Sequence, residues 1–178
     1  MEKETKKSKK KVLIIIVAVF IFAIILALFM QYQLNWKGYK TYNTDKFSIK
    51  YQDTWEVKDE ASDKGDVKNF TDNNDNSVRV ISMPKSEMPE NQNTLEKFKD
   101  NIIKQMKESI ANAFFNGEPY VEKVTKDGNN GIKITFQYRT GEKLIYIMYE
   151  KNDIVYSMVL QGNNTEIFDK MIESLEIK

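Results

Sequence analysis

Residues 12–30, VLIIIVAVFIFAIILALFM, are nineteen positions without a polar or charged side chain, and beyond residue 35 apolar and polar positions interleave. At 1.5 Å per residue the apolar block predicts a helix of roughly 28 Å, close to the ~30 Å hydrocarbon core of a bilayer. After it, Phe47-Ser48-Ile49-Lys50-Tyr51 alternates with a period of two, the mark of a half-buried strand, and Trp55-Glu56-Val57 repeats the alternation. Further strands are predicted over 67–70, 78–83, 120–125, 132–139, 144–150 and 154–161. The connections 126–131, 140–143 and 151–153 are short and rich in Gly, Asn and Asp, so the last four strands read as an antiparallel meander; parallel strands need a crossover of a dozen or more residues.

Depth is legible in two of these strands. Ile132, Ile134, Phe136 and Tyr138 fall on one face, with Lys133, Thr135, Gln137 and Arg139 on the other, so this strand is wet on one side. Residues 144–149, Leu-Ile-Tyr-Ile-Met-Tyr, are apolar on both faces and belong at the centre of a sheet covered on both sides. Two helices supply cover. Leu95, Phe98, Ile102, Ile103, Met106, Ile110, Ala113 and Phe114 form a stripe of 3.6-residue period, with Asn93 and Glu96 as a capping pair and Gly117 and Pro119 beyond its end. Ile167, Phe168, Met171, Ile172 and Leu175 form a second stripe, starting near Asn164 or Thr165. The predicted fold class is α+β, an antiparallel sheet flanked by two helices, behind one N-terminal transmembrane helix.

The apolar block divides the chain into a basic tail (1–11), an anchor (12–30), a short linker (31–35) and a domain (36–178). A secretory signal has an apolar core of about 7–15 residues followed by small residues at the cleavage site. This block is longer and ends on Ala27-Leu28-Phe29-Met30, so an uncleaved anchor is favoured over a cleaved signal; a core helix that lacks every polar residue is less favoured still. Lys3, Lys6, Lys7, Lys9, Lys10 and Lys11 place the N-terminus in the cytoplasm and the domain outside, by the positive-inside rule. The localisation predicted is a single-pass cell-membrane protein, with the lipid bilayer as partner to residues 12–30. Tyr32 and Trp36 are interface anchors at headgroup level or, for Trp36, part of the domain edge; both readings stand. The five-residue linker predicts a domain held near the bilayer.

The chain has 178 residues, 27 basic and 26 acidic. Six of the basic and two of the acidic residues precede Val12 and none lies in 12–35, leaving the domain 21 against 24, a net charge of −3. That balance, with Arg79 and Arg139 as its two arginines, argues against nucleic acid as a partner. The bias toward lysine and asparagine fits an AT-rich bacterial genome. Cysteine and histidine are absent. That excludes disulfides, thiolate nucleophiles, a lipid-modified cysteine, Ser-His-Asp or Cys-His catalysis, and imidazole or thiolate metal ligands. No cofactor, metal or catalytic residue is predicted.

Phe47-Ser48-Ile49-Lys50-Tyr51 followed by Trp55 resembles the F-S-x-x-Y-P-x-x-W opening of PsbP-like domains, relatives of a photosystem II subunit, with Gln52 where proline is usual. Residues 167–175, IFDKMIESL, are similar to the closing F-x-x-I-x-x-S-F/L signature of that family, and the order of elements fits over about 140 residues. The resemblance implies a PsbP-like α/β/α sandwich and a non-enzymatic accessory or binding domain. It carries over no metal residue and no photosynthetic role.

Four features remain as candidate chemistry. Asp72-Asn73-Asn74-Asp75-Asn76 has oxygen ligands at alternate positions, as calcium prefers, but Ser77 and Met83 stand where an EF-hand loop has Gly and Glu; a hairpin turn explains it more simply. Glu150 ends the most apolar strand and reads as a strand-end residue reaching solvent. Lys97, Asp100, Lys104, Lys107 and Glu108 form a mixed-charge helix face, with Asp100 and Lys104 spaced for an i,i+4 attraction. It reads as solvated, with partner docking as the alternative. Tyr138, Tyr146, Tyr149 and Tyr156 are core tyrosines before they are a ligand platform.

The leading reading is therefore a membrane-anchored, extracytoplasmic, non-catalytic binding or accessory domain assisting an envelope protein complex. A structural subunit of a conjugation, secretion or sporulation assembly and a carboxylate-dependent cell-wall enzyme are the alternatives. No motif specifies a partner's identity or an oligomeric state. Protease added to intact cells is expected to digest residues 31–178; a protected C-terminal domain would overturn this orientation.

Overall fold

A computed structural model describes residues 2–60, 62 and 64–178, with side chains described from residue 16 onward except at 61, 63, 110 and 111. The chain divides into two compact units, Met1–Tyr39 and Lys40–Lys178. The first is a single helix, α1 (Glu2–Asn35), followed by a turn in which the Trp36 and Tyr39 rings meet edge to face at 5.4 Å. Residues 31–35, predicted as linker, continue the helix. Ile16–Asn35 is long and apolar enough to cross a membrane, and its large apolar side chains are exposed along its length, unlike those of a core helix.

The second unit is α+β, and its larger sheet is antiparallel throughout. Seven strands lie in the order β3-β4-β5-β9-β8-β7-β6: β3 (Glu56–Glu60), β4 (Asp66–Thr71), β5 (Ser77–Pro84), β6 (Tyr120–Lys126), β7 (Asn129–Gln137), β8 (Lys143–Lys151) and β9 (Ile154–Gly162). The last four form the predicted meander. A second sheet, not anticipated from the sequence, holds β1 (Tyr39–Asn43), β2 (Phe47–Gln52) and β10 (Glu176–Ile177) in the order β1-β2-β10. Helices α2 (Leu95–Glu108) and α3 (Thr165–Ser174) complete the unit.

β8 sits between β7 and β9, and its alternation splits the core in two. Ile145, Ile147 and Tyr149 point to the side covered by α3 and the small sheet, where Phe47, Ile49, Phe168 and Leu175 meet them. Leu144 and Met148 point to the side covered by α2, beside Ile132, Ile134, Phe98 and Ile102. Gly131 permits close packing between β7 and β8: a Cβ there would stand 2.5 Å from the Tyr149 ring.

The residues that carry the sequence resemblance are joined here. Ile177 pairs with Phe47 and Glu176 with Ser48, whose hydroxyl donates to the Glu176 carboxylate at 2.9 Å. The Ser174 hydroxyl accepts from the Lys50 amide at 2.8 Å, and Trp55 is buried. The opening strand and closing helix are thus two halves of one structural joint.

Helix ends differ from expectation. The cap of α2 is Thr94, whose hydroxyl accepts from the Lys97 amide, and not Asn93. The helix stops at Glu108, short of the predicted Phe114, because the Ser109 hydroxyl turns back to the Met106 carbonyl at 2.8 Å. A 3-10 turn, Ile110–Phe114, follows, and Phe115 then bridges to Tyr138 at the edge of β7.

One polar joint fixes the β4–β5 hairpin to the start of α3. Asp72 closes the hairpin by accepting from the amides of Asn74 and Asn76 and from the Asn76 side chain. Asn76, buried, accepts in turn from the amides of Asn163 and Asn164 at 3.0 and 3.2 Å. Gly162 has φ +140°, and a Cβ there would lie 2.1 Å from Asn76 Oδ1. Burial pushes the Asp72 carboxyl up, but these hydrogen bonds outweigh it and hold the carboxyl below its ordinary value.

Gly162→Ala is expected to lower unfolding stability by about 2–3 kcal/mol, because the added methyl displaces Asn76 from two amide donors; denaturant titration measures it. A depressed carboxylate stabilises above its unfolded pKa of about 3.9 and loses that contribution as pH falls through the lower folded value. The stability difference between the native chain and Asp72→Asn should therefore shrink below about pH 4. A difference constant from pH 7 to pH 3 would contradict this role for the carboxylate.

Candidate functional site

The two faces of the seven-stranded sheet are covered unequally. Seven strands at about 4.8 Å spacing span roughly 29 Å, whereas one helix with its side chains is about 10–12 Å across. The face toward α3 is covered by that helix together with β2 and β10. On the opposite face α2 lies over β7 and β8 and leaves a hollow on each flank.

Strand register defines these hollows. Across the α2 face run the rows Thr125–Asn130, Lys123–Ile132–Met148–Ser157–Ile81 and Val121–Ile134–Tyr146–Val159–Arg79. On the β5–β9 flank, Ile81, Met83, Val155 and Val159 face Met88, Phe98 and Ile102 across a hollow of about 220 Å³. Met88 and Pro89 reach it from the segment between the 3-10 turn Lys85–Glu87 and α2. Ser157 and Gln92 are its polar members. Its chemistry suits an apolar side chain or a short aliphatic group, since methionines adapt to irregular apolar surfaces. On the other flank, Leu95, Glu96, Lys123, Thr125, Asn130, Ile132 and Glu150 line a more polar hollow of about 500 Å³.

Glu150 is half-buried, contrary to the solvent-reaching position expected. One carboxylate oxygen accepts from Lys85 Nζ at 3.0 Å, and the other is buried with no hydrogen-bond partner among the described residues. Of the singled-out groups it alone lines this hollow. The four tyrosines are not one platform: Tyr149 and Tyr156 enter the core under α3, while Tyr138 and Tyr146 lie on the α2 side. Burial pushes all four phenols up, so they stay protonated near neutral pH.

The mixed-charge helix face is reorganised. Asp100 approaches Lys99 at 3.3 Å and Lys104 approaches Glu108 at 4.0 Å, in place of the expected Asp100–Lys104 pair; Lys107 reaches Glu118 at 2.8 Å. The Asp72–Asn76 segment is a hairpin turn with Asp75 at φ 60°, as the simpler account has it. Among the described residues no three His, Cys, Asp or Glu side chains gather as a metal site. Met83, Met88 and Val159 were not singled out from sequence. The available signal was Val80-Ile81-Ser82-Met83, which is apolar on both faces of β5 and so requires cover on both.

No family model and no curated protein matches the chain at the sequence level. By fold it is similar to the solution structure of cyanobacterial PsbP (CyanoP) from Synechocystis sp. PCC 6803. The TM-score is 0.58 at 14% identity, over 79% of this chain and 93% of that one. A crystal structure from Bacteroides thetaiotaomicron VPI-5482 aligns with 79% of this chain and 49% of its own length, at 12% identity and a TM-score of 0.48. The fold is PsbP-like, as the opening and closing motifs implied.

Lys85→Ala is expected to destabilise by about 1–2 kcal/mol, since it strands the half-buried Glu150 carboxylate, and to do much less in a Glu150→Gln background. Equal losses in both backgrounds, in a urea-unfolding double-mutant cycle, would show that the pair is uncoupled.

Proposed function

We propose that the chain is a membrane-anchored, extracytoplasmic binding domain, non-catalytic, that assists an envelope protein complex through its α2 face. The observation that carries this reading is the unequal cover of the sheet: a single helix leaves Ile81, Met83, Met88 and Val159 partly exposed around an apolar hollow of about 220 Å³. Such a recess takes an apolar anchor from a partner, the usual core of a protein interface. The apolar stretch within α1 supports a membrane location, and the lysines ahead of it support an outward-facing domain. The PsbP-like fold and the absence of histidine and cysteine support a role in binding over one in catalysis.

The test is site-specific photo-crosslinking in intact cells. A photoreactive residue in place of Met88 is expected to give one defined adduct, which Met83→Glu abolishes without unfolding the domain; the same probe at Asp59, on β3, should give none. Recovery of the chain as an unmodified monomer from every site would overturn the proposal.

A further inference from the structure

The two edges of the seven-stranded sheet are built differently. β3 carries charge at four of its five positions, and Glu56, Asp59 and Glu60 are held by Lys58, Lys68 and Arg79 at 2.9–3.1 Å. Such charge is a common guard against pairing with another chain. The β6 edge is guarded more lightly, with charge at three of its seven positions, Glu122, Lys123 and Lys126. Among the described residues its strand pairs with β7 alone, so the outward-facing amides and carbonyls of Tyr120–Lys126 form no strand pairing there. Among the described side chains of Lys40–Lys178, the exposed large apolar ones are Phe114 at 59%, Tyr120 at 66% and Val121 at 39%.

These three share one border. The Arg139 amide donates to the Phe114 carbonyl and the Asn116 amide to the Gln137 carbonyl, so residues 114–116 run beside the same edge of β7 that Tyr120 and Val121 continue at Thr135 and Ile134. An unpaired strand edge and exposed apolar side chains therefore coincide, with Val121 on the α2 face and Tyr120 on the opposite one. The charges along the edge are selective. Glu122 is held by Lys133 at 3.0 Å and Lys126 donates to the Glu173 carbonyl, whereas Lys123 is exposed and forms no ion pair among the described residues. In the antiparallel self-pairing registers centred on residues 121 to 124 a second copy offers Lys123 no acidic partner, because it would face Pro119, Val121, its own copy or Thr125. The registers centred on 122 and 123 also set like charges directly opposite, which destabilises a pair.

We propose that β6 accepts an extended segment of a different protein as an eighth strand, with an acidic side chain opposite Lys123 and apolar ones flanking it. Backbone hydrogen bonds along the edge supply the attachment, and Lys123 with Val121 supplies the choice of sequence. This rests on reading the domain as a binding module, but it concerns the edge and not the α2 hollow.

The test uses the full chain in phosphatidylcholine nanodiscs and a capped peptide, Thr-Val-Thr-Glu-Thr-Val-Thr, against its counterpart with Lys at the centre. The Glu peptide is expected to bind roughly fivefold more tightly, Lys123→Glu to reverse the order, and the β6 amides to gain hydrogen-exchange protection. Met88→Glu should leave this preference intact while abolishing the hollow's function, which separates failure of one reading from failure of the other. Four results would overturn the proposal: equal affinity for both peptides, no binding at millimolar peptide, protection of Phe114 and Tyr120 by lipid alone, or protection that rises with protein concentration without peptide.

Discussion

The interior strand β8 sets the terms for everything around it. Residues 144–149 are apolar on both faces, so both faces of the seven-stranded sheet must be kept from water. The chain meets this demand asymmetrically, placing α3 and a three-stranded sheet on one side and α2 alone on the other. One helix is too narrow for seven strands. The uncovered remainder on the β5–β9 flank is apolar, and on the β6–β7 flank it is mixed.

The better-covered side is also the side held by polar joints. Asn76 accepts from the backbone ahead of α3, and Ser174 at the far end of that helix accepts from β2. Both joints are buried or half-buried, where a hydrogen bond left unmade is costly, so α3 is fixed at both ends. Among the described residues the α2 side has no comparable buried anchor at its C-terminal end, where Ser109 breaks the helix and the chain passes through a 3-10 turn to the β7 edge. The exposed Phe114 lies in that irregular passage, and the exposed Tyr120 and Val121 follow it on β6. Polar joints and exposed apolar side chains are thus segregated to opposite parts of one sheet.

Much of this was legible in residue order. Alternation and short apolar runs located eight of the ten strands, and the short Asn, Asp and Gly connections dictated the meander. β1 and β10 escaped because YKTYN and a two-residue segment carry too little alternation to be read. The stripe from Leu95 to Phe114 kept helical spacing past the true helix end, since spacing does not register a serine hydroxyl that captures a carbonyl. Of the candidate site, Glu150 was noticed for its place at the end of an apolar strand, but its Lys85 partner lies 65 residues away in sequence and could not be inferred. Met88 showed no signal because it belongs to no periodic element.

By itself the sequence determined the apolar N-terminal span, the α+β class, the double-sided burial of β8 and the chemistry denied by the lack of histidine and cysteine, because composition and local periodicity act over a few residues. It also carried the PsbP-like opening and closing motifs, since Phe47, Trp55, Ser174 and Leu175 occur in recognisable local patterns. Tertiary structure alone decided that these patterns meet through a small second sheet, that the four tyrosines part to opposite faces, and that Tyr120 and Val121 fall on an unpaired edge. Those outcomes depend on strand order and register, which are set by contacts between residues distant in the chain, and no local pattern contains them.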